Sequence, residues 1–265
     1  MMTEKLNETD TEKDPQFAAT LARGIDILLS YRVGEFVLGN REFVQRTGLS
    51  KSTVARLTHT LVSLGYLRHD AKLEKYRLGP AVLSMGYPLL ANMHIRQLAR
   101  PLMRELSEQT GGAVSLGIRD RIHMIYVETS RSTDKLIMTP DIGAPLPILT
   151  TAMGRAWLSR APLDERKSVL NQIRVKEPEH YRQFHQAAMQ SVKAYEAQRY
   201  CANHGEWRSD VYGFAVPLSR PVDSNLFIFN CGIPAASGSY AAIEREVAPK
   251  LVSLVRSIEV MLGFT

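Results

Sequence analysis

The stretch Thr47-Gly48-Leu49-Ser50-Lys51-Ser52-Thr53-Val54-Ala55-Arg56-Leu57, running on to Leu64-Gly65-Tyr66-Leu67, decides how the early part of this chain folds. Gly48 can supply the positive φ of a tight turn between helices, Leu49 can plug that turn into a core, and Ser50 can cap the next helix. In that helix Val54, Leu57, Leu61 and Leu64 recur at spacings of three and four and form one stripe, while Ser52, Arg56, His59 and Ser63 fall opposite. Short hydroxyls and a guanidinium near a helix N-terminus suit the major groove of DNA, where Arg pairs with guanine and Ser or Thr contacts bases or phosphates. A plain amphipathic surface helix would divide its residues in the same way, so the neighbouring segments decide.

Past Gly65, Tyr66-Leu67-Arg68-His69 and Lys75-Tyr76-Arg77-Leu78 read as two short strands joined by residues 70–74, a basic hairpin. Upstream, Leu21, Ile25, Leu28 and Leu29 lie at helical spacing between Phe17 and Ser30, with Arg23 and Asp26 turned from the core. A short helix from Asn40 to Thr47 sets Phe43 and Val44 beneath the reading helix. These parts make a winged helix-turn-helix. Its candidate DNA contacts are Arg23, Ser50, Lys51, Ser52, Thr53, Arg56 and His59, joined by Lys72, Lys75 and Arg77 on the hairpin. Charge agrees: residues 20–80 carry a net +5, against −3 for residues 1–19 and +4 for residues 81–265.

After Gly79-Pro80, residues 81–90 read as an apolar linker helix disturbed near Pro88, and a further helix runs from His94 to Gln109 on Leu98, Leu102 and Leu106. Strands are expected over Ala113–Arg119, Ile122–Glu128, Leu136–Pro140, Tyr200–Asn203, Tyr212–Leu218 and Leu226–Gly232. Helices are expected at Ala152–Arg160, across Leu163–Gln198 with a break near Glu177-Pro178, and at Ala241–Leu262 on Ile243, Val247, Leu251, Leu254 and Ile258. Strands flanked by helices read as α+β.

The chain resembles the IclR-type bacterial transcription regulators. The resemblance is carried by residues 21–28, the quoted stretch, Tyr76-Arg77-Leu78-Gly79, residues 143–156, Tyr200, Gly205-Glu206-Trp207 and Ala215-Val216-Pro217. With the residue patterns it gives a disordered tail (1–16), a winged helix-turn-helix domain (17–79), a linker helix (80–93) and a GAF-like effector-binding domain (94–265). The resemblance implies a six-stranded antiparallel sheet flanked by helices. It also implies operator DNA as partner and assembly as a homodimer or dimer of dimers. The linker would bury Leu83, Tyr87 and Leu90 between subunits, unless they pack on their own chain.

The cradle for a small effector is Thr150-Thr151-Ala152-Met153, at a helix start where N–H groups and the positive dipole end favour an anion and two hydroxyls add donors. Capping is the commoner role of a single Thr there. In the resembled family a late strand usually presents two small hydroxyl residues ahead of Gly-Pro. Here the segment is Asn230-Cys231-Gly232-Ile233-Pro234, so an amide and a glycine stand instead, which implies a different or larger ligand. Asn203 and Gly213 match further pocket positions. Small carboxylates, including products of aromatic breakdown, are the effectors that the resemblance implies.

No catalytic or cofactor motif emerges: there is no Gly-x-Ser-x-Gly, phosphate loop or dinucleotide fingerprint. Cys201, His204 and Cys231 lack the fourth ligand and paired spacing of a zinc site. Two cysteines fit a reducing cytoplasm. The N-terminus has no apolar core for a signal peptide, and no apolar run is long enough for a spanning helix. The competing reading is an enzyme or sensor domain whose winged helix contacts protein. A basic hairpin favours DNA, because phosphate contacts need cations.

Overall fold

The protein is described here by a computed structural model covering residues 14–132 and 140–264. It divides into two compact units between Asn92 and Met93.

The first unit holds α1 (Ala19–Leu29), α2 (Asn40–Thr47), α3 (Lys51–Ser63), β1 (Leu67–Asp70), β2 (Lys75–Leu78) and α4 (Ala81–Asn92). Gly48 closes α2 at φ 69°, in the left-handed region where glycine is favoured. Ser50 caps α3 by accepting from Thr53 N at 3.2 Å, an arrangement worth about 1 kcal/mol. Ile27, Leu38, Phe43, Val54, Leu61 and Leu67 form the core.

Two stripes differ from their sequence reading. Helix α1 buries Gly24 and Ile27 while Leu21, Ile25 and Leu29 stay exposed. A methyl on Gly24 would lie 3.9 Å from Leu57 Cδ2, so the glycine marks the line along which α1 meets α3. Hydrophobic periodicity gives a glycine no weight and therefore rotates the face. In α3 the buried residues are Val54, Thr58 and Leu61, and Leu64 is exposed. Thr58 can be fully buried because its hydroxyl donates to Val54 O at 2.9 Å within its own helix. Leu38 adds a bridge to Tyr76 that the sequence did not announce. Helix α4 continues through Pro88 and buries none of its residues.

The second unit runs α5 (His94–Thr110), β3 (Ala113–Asp120), β4 (His123–Arg131), β5 (Pro145–Pro147), α6 (Ala152–Arg160), α7 (Leu163–Lys176), α8 (Pro178–Gln198), β6 (Cys201–His204), β7 (Val211–Pro217), β8 (Ile228–Pro234) and α9 (Tyr240–Met261). The strands form a six-stranded antiparallel sheet ordered β5-β4-β3-β8-β7-β6. Of the strand expected over Leu136–Pro140, residues 136–139 lie outside the described residues and Pro140 is not in a strand. Strand β5 was not foreseen, because two prolines in three residues hide a strand, yet an edge position tolerates them. Helix α5 buries Ile95, Ala99, Met103, Leu106 and Ser107, with Leu98 and Leu102 only half-buried. Helix α9 buries the whole expected stripe.

Helices α6 and α8 cover one face of the sheet, and α5 and α9 the other. Gly154 lets α6 lie close to the chain ahead of it: a methyl there would fall 2.2 Å from Ile148 O. This contact fixes the start of α6 over the sheet.

Candidate nucleic-acid interface and small-molecule pocket

Helix α3 projects Lys51, Ser52, Arg56 and His59 into solvent. Lys51, Arg56 and His59 have no ion-pair partner among the described residues. Ser50 and Thr53 are occupied locally: their hydroxyls lie 2.9 Å apart, and Ser52 Oγ is 3.0 Å from Ser50 Oγ. Arg23 is exposed on α1.

The hairpin is arranged differently. Lys75 Nζ sits 3.2 Å from Glu42 Oε1, and the same carboxylate accepts from Gly39 N at the start of α2. Arg77 Nη2 lies 2.8 Å from Asp70 Oδ2. Asp70 also accepts from the Lys72 and Leu73 amides at the hairpin tip, and the Arg77 bond leads the causes that hold its carboxyl below the usual range. Of the three expected hairpin cations, Lys72 alone stands without an ion pair among the described residues. Arg68, which the sequence reading passed over, is directly opposite Arg77 across the hairpin and shares its face. Antiparallel register reveals it, and composition does not.

In the second unit the register gathers the pocket. Asn203, Gly213, Gly232 and Ala113 lie side by side across β6, β7, β8 and β3, and Ala215, Asn230 and Ser115 form the next row on the same face. Together with the first turn of α6, all of these except Ala215 line a cavity of about 50 Å³, which also touches Tyr126, Leu146, Trp207, Arg208 and Val211. Seven of the eight expected effector residues line it: Thr151, Ala152, Met153, Asn203, Gly213, Asn230 and Gly232. Thr150 does not. Its carbonyl accepts from Asn203 Nδ2 at 2.8 Å, and its buried Oγ1 has no partner among the described residues.

The Thr151 hydroxyl is committed within its own chain, whereas Thr150 lies outside the cavity lining. Thr151, not Thr150, caps α6 by accepting from Gly154 N at 3.1 Å, and it donates its proton to Pro147 O at 2.6 Å. Burial pushes the Tyr126 hydroxyl up to about 12, so it stays protonated at neutral pH.

A buried arginine holds the pocket rim. Arg155 on α6 donates to Leu149 O at 2.9 Å, Ala202 O at 2.8 Å and Glu206 Oε1 at 2.9 Å. Glu206 in turn accepts from Asn203 Nδ2, which ties the β6–β7 loop bearing Trp207 and Arg208 to α6. Burial alone would raise the Glu206 pKa, but the Arg155 charge and hydrogen bonds outweigh it and hold the carboxyl low.

Cys201, His204 and Cys231 do not converge. Cys201 points to α8, where it faces Ser191 O, and Cys231 lies on the opposite face beside Thr110 of α5. The His204 ring stacks on Tyr240 of α9 with centroids 4.1 Å apart. Burial pushes the Cys201 thiol up to about 11 and the Cys231 thiol up to about 12. No helix of the described residues is long and apolar enough to cross a membrane.

A winged helix-turn-helix in one unit and a walled sheet pocket in the other define a class, the transcription regulators that join a helix-turn-helix to a second, sensing domain. Residues 20–71 match the IclR helix-turn-helix domain and residues 88–227 match the bacterial transcriptional regulator IclR C-terminal domain. The chain belongs to the IclR family of bacterial transcriptional regulators. It is similar to the HTH-type transcriptional regulator TsaQ1/TsaQ2 of Comamonas testosteroni, with 32% identity over 91% of this chain and 87% of that one. Among solved structures, an IclR family transcriptional regulator from Brucella abortus is 38% identical over 97% of each chain, with a TM-score of 0.85. An IclR homolog from Microbacterium hydrocarbonoxydans, complexed with 4-hydroxybenzoate, shares the fold at 20% identity and a TM-score of 0.64, over 90% of this chain and 99% of that one.

Proposed function

We propose that this regulator binds operator DNA through α3 and the β1–β2 hairpin, and that a small carboxylate metabolite in the sheet pocket modulates that binding. The observation that carries the DNA reading is the state of α3. Lys51, Arg56 and His59 face solvent with no ion-pair partner among the described residues, so nothing in the fold uses their charge and donors. Arg56 is the candidate base reader, and Lys51, Lys72 and Arg68 are candidate phosphate contacts.

The working assembly is a homodimer. Leu83, Met85, Tyr87 and Leu89 are all more than half exposed on α4, an apolar surface of the kind that a monomer seldom leaves in water. Two reading helices must also sit roughly 34 Å apart to enter successive major grooves, which a dimer provides. Pairing of dimers is the family's further step.

Fluorescence anisotropy with DNA from upstream of its own gene tests the reading. Binding should weaken steeply between about 50 and 200 mM salt, as counterion release requires, and should shift when the effector is added. Binding that ignored both salt and sequence context would favour a protein partner for the winged helix.

A further inference from the structure

We propose that the second unit holds a further binding site, separate from the sheet pocket, for the phosphoryl group of a small organic phosphate. Arg119 at the end of β3, Trp157 and Arg160 in the second half of α6, Glu165 on α7 and the turn between β7 and β8 line a cavity of about 280 Å³. The sheet pocket takes its lining from the other ends of the same elements: Ala113 and Ser115 of β3, Met153 of α6, Val211 and Gly213 of β7. The two share no lining residue. The space is close to the lower end of the range for small-molecule sites, about 300–1,000 Å³, and well above the roughly 150 Å³ that holds benzene.

The charged groups of the lining are two arginines and one carboxylate. Arg119 is committed: its Nη2 pairs with Glu165 Oε1, its Nη1 donates to Arg121 O at 2.8 Å, and its guanidinium lies over the Trp157 ring, 4.8 Å from the centroid. Arg160 has no carboxylate partner among the described residues. Its Nε and Nη2 both donate to one backbone carbonyl, Ser219 O, at 3.3 and 2.9 Å, which leaves Nη1 without an acceptor among those residues. One positive charge is therefore left over. Around it lie donors that the fold does not use. The Ser219 and Ser224 hydroxyls make no hydrogen bond among the described residues, and Asn225 Nδ2 spends one of its two N–H groups on Asp223 O at 3.1 Å.

Ser224 carries a second sign. Asp223 and Ser224 form a tight turn at φ 47° and 65°, closed by Val222 and Asn225, which donate their amides to each other's carbonyls at 2.9 and 2.8 Å. Such a turn favours glycine at its second position, so a serine there holds its hydroxyl at a backbone cost.

A carboxylate offers two oxygens to these donors, whereas a phosphoryl group offers three strong acceptors and more charge. An anion at the end of a helix would ordinarily meet the negative end of its dipole. Here the last carbonyls of α6 are covered: Ala161 N donates to Trp157 O at 2.8 Å, and Arg166 Nη2 reaches Ser159 O and Ala161 O at 3.4 and 3.3 Å. Trp157, Leu226, Pro162 and Pro221 supply apolar wall for the organic part of the ligand.

The two tryptophans of the chain fall one to each cavity, Trp207 on the sheet pocket and Trp157 here, so Trp207→Phe leaves Trp157 as the sole indole. The full-length variant is titrated with phenyl phosphate and glycerol 3-phosphate, with their carboxylate counterparts benzoate and glycerate, and with inorganic phosphate. At least one ester should change the Trp157 emission saturably and bind about tenfold tighter than its carboxylate counterpart and than inorganic phosphate. Isothermal titration of the wild-type chain gives the same ranking without the reporter substitution. Arg160→Gln should weaken that ester about tenfold. Ser224→Gly, which relaxes the turn while removing the hydroxyl, should weaken it about fivefold without lowering the melting temperature. Esters that leave the Trp157 emission unchanged, a carboxylate or inorganic phosphate that binds as tightly, or an affinity that either substitution leaves untouched would each overturn the assignment.

Discussion

Helix α3 and the β1–β2 hairpin hold the same kinds of residue in sequence, yet the fold treats their charges in opposite ways. On α3, Lys51 and Arg56 are left to solvent, whereas on the hairpin Lys75 is tied to Glu42 and Arg77 to Asp70. A cation already paired must exchange one anion for another when it meets a phosphate, so its net gain is small. A cation without a partner brings its whole charge. The second unit has a committed cation too, since Arg155 is tied to three acceptors at the pocket rim.

The largest effect should come from breaking a committed group. Arg155→Met leaves Glu206 and two backbone carbonyls without their donor and should cost about 3 kcal/mol of stability, read by urea unfolding. Glu206 is held below its ordinary value of 4.5 in the folded protein. Its contribution is therefore present above that value and lost as pH falls through the lower folded pKa, and the variant should lack this acid-side slope. Unchanged stability would show that the rim does not depend on this pair.

Next is the uncommitted guanidinium on α3. Arg56→Ala should lower specific DNA affinity by about 1–3 kcal/mol and relax preference at one or two base positions, measured by anisotropy across mutated sites. A uniform loss over all sequences would reassign it to phosphate. Smaller again, Lys72→Ala and Arg68→Ala should each reduce the slope of log affinity against log salt by about one, with no change of sequence preference.

Lys75→Ala should do least. Its pair with Glu42 is more than a third exposed on the lysine side, so the loss of stability should stay below about 1 kcal/mol, and the salt slope should hardly change. A slope change as large as that of Lys72→Ala would mean that the Glu42 tie opens on DNA, and the distinction drawn here would collapse.

What the sequence revealed was chemistry carried by local order. The turn at Gly48, the cap at Ser50, the hairpin, the break at Glu177-Pro178 and the stripe of α9 all depend on residues within a few positions of one another, and all are found in the structure. The faces of α1 and α3 were misread because Gly24 and Thr58 sit where packing needs a small or self-satisfied residue, and hydrophobicity does not count them. The pocket was half legible. Asn203, Gly213, Asn230 and Gly232 could be matched to a family pattern, but that the Asn203 amide is spent on Thr150 O and the Glu206 carboxylate is a tertiary fact. So are the ties of Lys75 and Arg77, whose partners in the chain are 33 and 7 residues away.

The sealed thiols on opposite faces of the sheet make this protein a convenient host for site-directed labelling. A thiol with a pKa of about 11 is ionised in roughly one molecule in ten thousand at pH 7, and maleimides react with the thiolate. Cys201 and Cys231 should thus stay silent in the folded chain without being removed. A single new cysteine in place of Leu73, exposed at the hairpin tip, would then carry the only dye and report directly on the hairpin's approach to a duplex.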